Sequence, residues 1–174
     1  MNACCFTGHR RIPPALSGDI QKKLVQTIDW LYSEKHITTY YAGGAQGFDT
    51  LASEAVIECR KDISALRLVV VMPHAEQAAR WSAEDRARHK RITDAADEVV
   101  CLAEHYYRGC MQRRNRYLVD HSDVCVCYLT EQTGGTAYTV GYAQKKSLPI
   151  WNLASHCNMI QDRGCTKCPL SLFR

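Results

Sequence analysis

Three short, glycine-containing segments carry residue types suited to gripping a phosphate. They are Thr7-Gly8-His9-Arg10, Gly43-Gly44-Ala45-Gln46-Gly47-Phe48-Asp49 and Gly134-Gly135-Thr136. Each follows a short apolar stretch and precedes a helical pattern. A strand, a glycine turn and a helix together present backbone N–H groups to an anion. In the first segment Gly8 allows close approach of a ligand, Thr7 offers a hydroxyl and Arg10 a bidentate guanidinium. His9 has two readings, a ligand-binding or proton-transferring group, or the cap of a helix. In the second, Gly43, Gly44 and Gly47 permit a tight turn. Asp49 either caps the next helix or accepts from a ribose hydroxyl. Phe48 reads as packing rather than base stacking. In the third, Thr136 is placed to cap a helix while Gly134 and Gly135 face an anion. One helix terminus attracts a charge by only about 0.3–1 kcal/mol. Real affinity therefore requires the three turns to act together.

A basic run, Arg113-Arg114-Asn115-Arg116, offers the missing cations. Arg114 and Asn115 are the preferred pair, and a solvated, salt-bridged helix face is the alternative. The carboxylates expected near the pocket rim are Asp49, Glu131 and Asp123. If the protein is an enzyme, His9, Asp49 or Glu131 must supply acid–base chemistry. No Ser-His-Asp order, nucleophile elbow or His-Glu-x-x-His motif is present. Trp81 and Tyr106-Tyr107 fall in loops, where they either cover a base or pack.

The elements that must position these residues follow from periodicity. Strands are predicted at 3–7, 38–42, 67–72, 98–102, 123–129 and 148–153. Continuous apolar runs such as Leu68 to Met72 fit strands buried on both faces of a parallel sheet. Helices are predicted at 17–34 (with Ser17 as N-cap), 50–61, 82–95, 111–121 and 136–146. The third is strongly charged, and Ser82 with Asp85 loosely fits a capping box. The alternation predicts a three-layer α/β/α, Rossmann-like open sheet of about six strands, mostly or wholly parallel. At 174 residues one core is expected, with residues 1–153 as the nucleotide-binding domain and 154–174 as a separate tail. The tail holds His156, Cys157, Cys165 and Cys168, whose types suit a structural zinc but whose spacing is poor. No metal is therefore assigned.

The net charge of +4 permits contact with phosphate or nucleic acid without requiring it. No apolar run approaches the roughly 20 residues needed to cross a bilayer, no signal-peptide pattern opens the chain, and a cytoplasmic location is expected. Of the ten cysteines, Cys4, Cys5, Cys59, Cys101, Cys125 and Cys127 fall in or beside predicted core elements and read as small hydrophobes, with no disulfide framework expected.

The four motifs Cys5–Arg10, Gly43–Asp49, Arg114–Asp123 and Gly134–Thr139, spread over roughly residues 3–153, resemble the YpsA-like family. That family sits in a Rossmann-like superfamily with the DNA-processing protein DprA and the LOG cytokinin-activating phosphoribohydrolases. The resemblance implies a pocket at the carboxyl edge of the sheet for a nucleotide or nucleotide-derived ligand, with ADP-ribose and NAD-like molecules among the options. The YpsA-like branch is linked to bacterial cell division and stress without an established reaction. LOG-type members cleave an N-glycosidic bond with an Arg and a Glu. Arg114 fits the position of that Arg, but Thr139 occupies the position of the Glu. A hydroxyl does not replace a carboxylate in that chemistry, so a binding or sensing role is expected first. Hydrolysis of a nucleotide or nucleotide sugar, and single-stranded DNA binding, are the alternatives. A homodimer and a protein partner are compatible with all three.

Overall fold

The computed structural model describes residues 2–154. The elements alternate as β1 (Ala3–Gly8), α1 (Pro14–Lys35), β2 (Thr39–Ala42), α2 (Phe48–Cys59), β3 (Arg67–Met72), α3 (Ala83–Ala95), β4 (Glu98–Cys101), α4 (Cys110–Asp120), β5 (Val124–Tyr128), α5 (Gly134–Lys145) and β6 (Ile150–Asn152). The six strands form one sheet in the order β4-β3-β2-β1-β5-β6, and every pairing is parallel. The expected three-layer architecture is present.

Both faces of the central strands are buried, which explains their unbroken apolar runs. Cys4, Phe6, Leu68, Val70, Val124 and Val126 point into one core, shared with Leu24, Ile28 and Leu31 of α1 and Phe48, Ala52 and Val56 of α2. The alternate residues Cys5, Val69, Val71, Cys125 and Cys127 point into the other, against Leu118 and Val119 of α4 and Val140 and Ala143 of α5. Helices α1 and α2 thus cover one face, and α4 and α5 the other. The buried Cys4 and Cys127 thiols are pushed up by burial, so thiolate chemistry is disfavoured there. Cys101, also expected in the core, is exposed instead, because β4 is the edge strand of the sheet.

Three helix starts differ from the sequence expectation. Helix α1 begins at Pro14 rather than near Ser17, because proline suits the first turn, where its missing N–H is no loss. Helix α2 is preceded by Gly47, and α5 by Thr133 rather than Thr136. In both, glycine geometry sets the entry. The α3 expectation holds: Ser82 Oγ accepts from Asp85 N at 3.0 Å, and Ile92 is its single buried residue. Among the described residues no helix is long and apolar enough to cross a membrane. The zinc-type residues His156, Cys157, Cys165 and Cys168 lie outside the described residues.

Candidate functional site

The strand order reverses direction between β1 and β5. The chain runs outward from β1 through β2, β3 and β4, then returns to β5 beside β1. The connection leaving β1 goes to α1 on one face. The connection leaving β5 goes to α5 on the other. Such a switch point opens a crevice beyond the carboxyl ends of the two strands. A cleft of about 310 Å³ lies there. Thr7, Gly8, His9 and Arg10 of the β1 end form one wall, and Gly134, Gly135 and Thr136 of α5 face them. Arg114 and Asn115 reach in from α4, Asp49 from α2, and Glu131 from the β5–α5 loop. The folding of the chain thus brings together residues from all four motifs.

The basic run on α4 splits by helical geometry. Arg114 and Asn115 are buried, whereas Arg113 and Arg116 face outward. Met111 and Leu118, which the sequence reading missed, also line the cleft. Their spacing of three and four residues from Arg114 places them on the same helix face, a signal that was present in the sequence.

Arg114 is held from the opposite layer. Its Nη1 donates to Gly43 O and lies 3.5 Å from Asp49 Oδ2. Both side chains are less than a tenth exposed. Asp49 Oδ2 also accepts from Ala45 N at 3.4 Å, so Asp49 ties the turn to the arginine and is not the N-cap. A Cβ on residue 43 would overlap the Arg114 guanidinium. The absence of a side chain at Gly43 therefore makes room for Arg114. Gly44 O accepts from Gln77 Nε2. Gly43, Gly44 and Gly47 shape this turn and lie outside the cleft lining.

Gly47 has φ of 75°, and a Cβ there would run into the backbone carbonyl of Arg10. Next to it, Phe48 N donates to His9 O at 3.1 Å. The second turn thus buttresses the first. Gly47→Ala is expected to lose about 2 kcal/mol or more, combining left-handed strain with a backbone clash. A midpoint shift in urea unfolding measures it, and an unchanged midpoint would exclude the buttress.

His9 is not a helix cap. Its Nε2 accepts from Thr130 N at 2.9 Å, joining the loop after β1 to the loop after β5. The Nε2 lone pair is thus committed to this bridge, leaving Nδ1 as the position for the ring proton.

The first turn of α5 borders the cleft with Gly134, Gly135 and Thr136. Its leading N–H groups have no intrahelical partners. Gly134 adopts φ of 90° and has open space around its Cα. Asn115 Nδ2 donates to Gly135 O at 3.4 Å, fixing this turn to α4. Thr139 is fully buried, and its hydroxyl donates to Gly135 O at 2.8 Å. It lies outside the cleft lining and presents no acid–base group there. Arg114 Nε is buried without a hydrogen-bond partner among the described residues.

Asp123 does not reach the rim, contrary to expectation. It precedes β5 at the opposite sheet edge, where Oδ2 accepts from Ala3 N at 3.0 Å. Trp81 packs edge-on against His89, and Tyr106 against His74. With Tyr107 they lie outside the cleft lining. Phe48 is fully buried between Phe6 and Tyr128, as packing requires.

Burial pushes the Asp49 carboxyl above the usual carboxylate range, against the pull of Arg114 and the Ala45 N–H. Burial likewise lowers Arg114 from its ordinary value, while Asp49 opposes that shift. Between the unfolded and folded Asp49 values the native state binds more protons than the unfolded chain. Asp49 therefore makes stability fall as pH rises through that window, from about pH 4 upward. Asp49→Asn should flatten this part of a stability–pH curve measured by urea unfolding. A retained slope would assign it to another group.

Known proteins share this framework. A family model described as the YspA SLOG family matches residues 14–156. The uncharacterized SPbeta prophage-derived protein YoqJ of Bacillus subtilis is 27% identical over 82% of this chain and 92% of its own. A UPF0398 protein of Ligilactobacillus salivarius is 26% identical over 76% of this chain and 69% of its own. Among solved structures, DNA processing protein A of Helicobacter pylori, described for its single-stranded DNA binding mode, superposes with a TM-score of 0.60 at 20% identity. It matches 85% of this chain and 63% of its own. DprA of Streptococcus pneumoniae gives 0.61 at 14% identity, over 86% of this chain and 49% of its own. This chain spans less than two thirds of either DprA chain, and the likeness to them is one of fold. The family match covers most of the sheet, including the Asp49, Arg114 and Gly134–Thr136 walls of the cleft, and this chain belongs to the YspA SLOG family.

Proposed function

We propose that this protein binds a nucleotide or nucleotide-derived ligand in the cleft between β1 and β5, and that it senses this ligand rather than transforming it. The carrying observation is the first turn of α5 facing Arg10 across the cleft, with the buried Arg114 beside it and its Nε lacking a partner among the described residues. Open N–H groups and two guanidinium groups together complement a phosphate. A cytoplasmic setting suits both the ligand class and the free thiols of the core.

Sensing is preferred because Thr139, at the position where LOG-type enzymes carry a glutamate, is turned into its own helix. Arg114 is likewise tied to Gly43 and Asp49. The remaining cleft acid, Glu131, makes no hydrogen bond to a catalytic partner among the described residues. Single-stranded DNA binding, described for the H. pylori relative, is weighed by the same experiment.

Native mass spectrometry with a nucleotide panel that includes ADP-ribose, NAD and a short single-stranded oligonucleotide tests the reading. An intact nucleotide, retained by the wild type and lost in Arg10→Ala, is the expected result. Arg10 is exposed, so this variant leaves the core untouched. A released base or sugar phosphate would identify a hydrolase instead. Salt-dependent retention of the oligonucleotide alone would identify a DNA-binding protein.

A further inference from the structure

A second hollow, of about 550 Å³, adjoins the cleft. His9, Arg10 and Glu131 line both. Beyond that shared wall the character changes. The floor is Tyr128, Pro13 and Leu16, with Arg11 and Thr130 also in the lining. Tyr128 is fixed from two sides, stacked on Phe48 at 6.0 Å and met edge-on by His9 at 6.3 Å. Leu16 is 41% exposed on the first turn of α1. A single exposed leucine is ordinary. Beside a fixed aromatic ring and a proline it completes an apolar seat next to an anion site.

Glu131 sits where the two hollows meet. A carboxylate there repels a phosphate and accepts from the two hydroxyls of a ribose. The chemistry therefore has a direction: anion-binding groups on one side, a hydroxyl acceptor at the junction and an apolar seat beyond. Arg10 borders both hollows and is positioned for the phosphate nearest the sugar.

We propose that the second hollow is the nucleoside subsite, so that the ligand is a ribonucleotide with its phosphates at the first turn of α5, its ribose at Glu131 and its base on the Tyr128–Leu16 floor. This rests on the nucleotide reading above and adds polarity and sugar selectivity to it. Leu16 and Glu131 become specificity-determining residues.

Titration calorimetry tests this on the full chain, using ADP, GDP, CDP and UDP, their 2′-deoxy counterparts and inorganic pyrophosphate. The wild type should prefer the best ribonucleotide over its deoxy counterpart by about tenfold, as expected for a hydrogen bond to a charged group. Glu131→Gln should reduce that preference to about threefold or less, because the amide is a weaker acceptor. Leu16→Ser should weaken the ribonucleotide by about three- to tenfold through lost apolar contact and leave pyrophosphate unchanged. Both positions are exposed, so neither variant disturbs the core. Ribonucleotide affinity indifferent to both substitutions would overturn the subsite while leaving the anion site standing. Equal loss of pyrophosphate and ribonucleotide in Leu16→Ser would overturn it as well. Failure of the wild type to bind any of these probes would overturn the nucleotide reading itself.

Discussion

Asp49→Ala is expected to destabilise the protein by about 3–5 kcal/mol, the cost of stranding a buried charge by removing its partner. For a chain of this size that corresponds to a fall in Tm on the order of 10 °C. The charge left behind is Arg114, which has little solvent contact and is held otherwise by one backbone carbonyl. The loss should be strongly non-additive. Asp49→Ala combined with Arg114→Met should cost less than Asp49→Ala alone, because the double variant has no stranded cation. Thermal unfolding of the three variants decides it. A loss below about 1 kcal/mol for Asp49→Ala would place the pair in the weak, solvent-screened class. The same pair explains Gly43, where a methyl group would displace the guanidinium.

Gly135→Asp is expected to reduce ligand affinity by about a hundredfold without lowering stability. The nearest atom to a Cβ built at Gly135 is Asn115 Nδ2 at 3.9 Å, so the new side chain has room. An acid in the first turn also suits the helix dipole. The carboxylate then stands in the place proposed for phosphate. At about 5 Å and an effective dielectric near 20, the repulsion is about 3 kcal/mol, or about two orders of magnitude in Kd. Gly135→Ala serves as the control for size and should bind within about threefold of wild type. The calorimetric Kd for pyrophosphate and a nucleotide, read beside Tm, separates the outcomes. Unchanged affinity in Gly135→Asp would move the phosphate away from α5. A joint fall in Tm and affinity would show that the substitution disturbs the turn itself.

The sequence was most informative where the signal is local. The run Val124–Leu129 reads as a strand from its own residues, and the structure places Val124–Tyr128 in one. Ser82 with Asp85 likewise marked the start of α3, because a cap is satisfied within its own turn. The α1 start is not legible in the periodicity. The apolar stripe from Ile20 onward gives no boundary, and it is Pro14 at the first helical position that marks the start. The four motifs identified the residues that would gather, and their strand–turn–helix context placed three of them at carboxyl ends of strands.

Their division of labour depended on partners far along the chain. Arg114 and Gly43 stand 71 positions apart, and nothing in either segment reveals that one fills the space left by the other. The second glycine turn looked like a phosphate loop. Its Gly43 and Gly44 carbonyls instead hold Arg114 and Gln77, and Ala45 N–H is taken by Asp49. His9 became a bridge once Thr130 N was brought to its ring. Asp123 lies away from the rim because its carboxylate accepts from Ala3 N at the far end of the sheet, a partner 120 positions away that sequence position does not specify. By itself the sequence determined the elements, their apolar faces and the residue types available, since these follow from spacing along one chain segment. Only the tertiary structure decided which glycines face the cleft and which seat a side chain, because a parallel sheet brings distant segments together through pairings that no local spacing specifies.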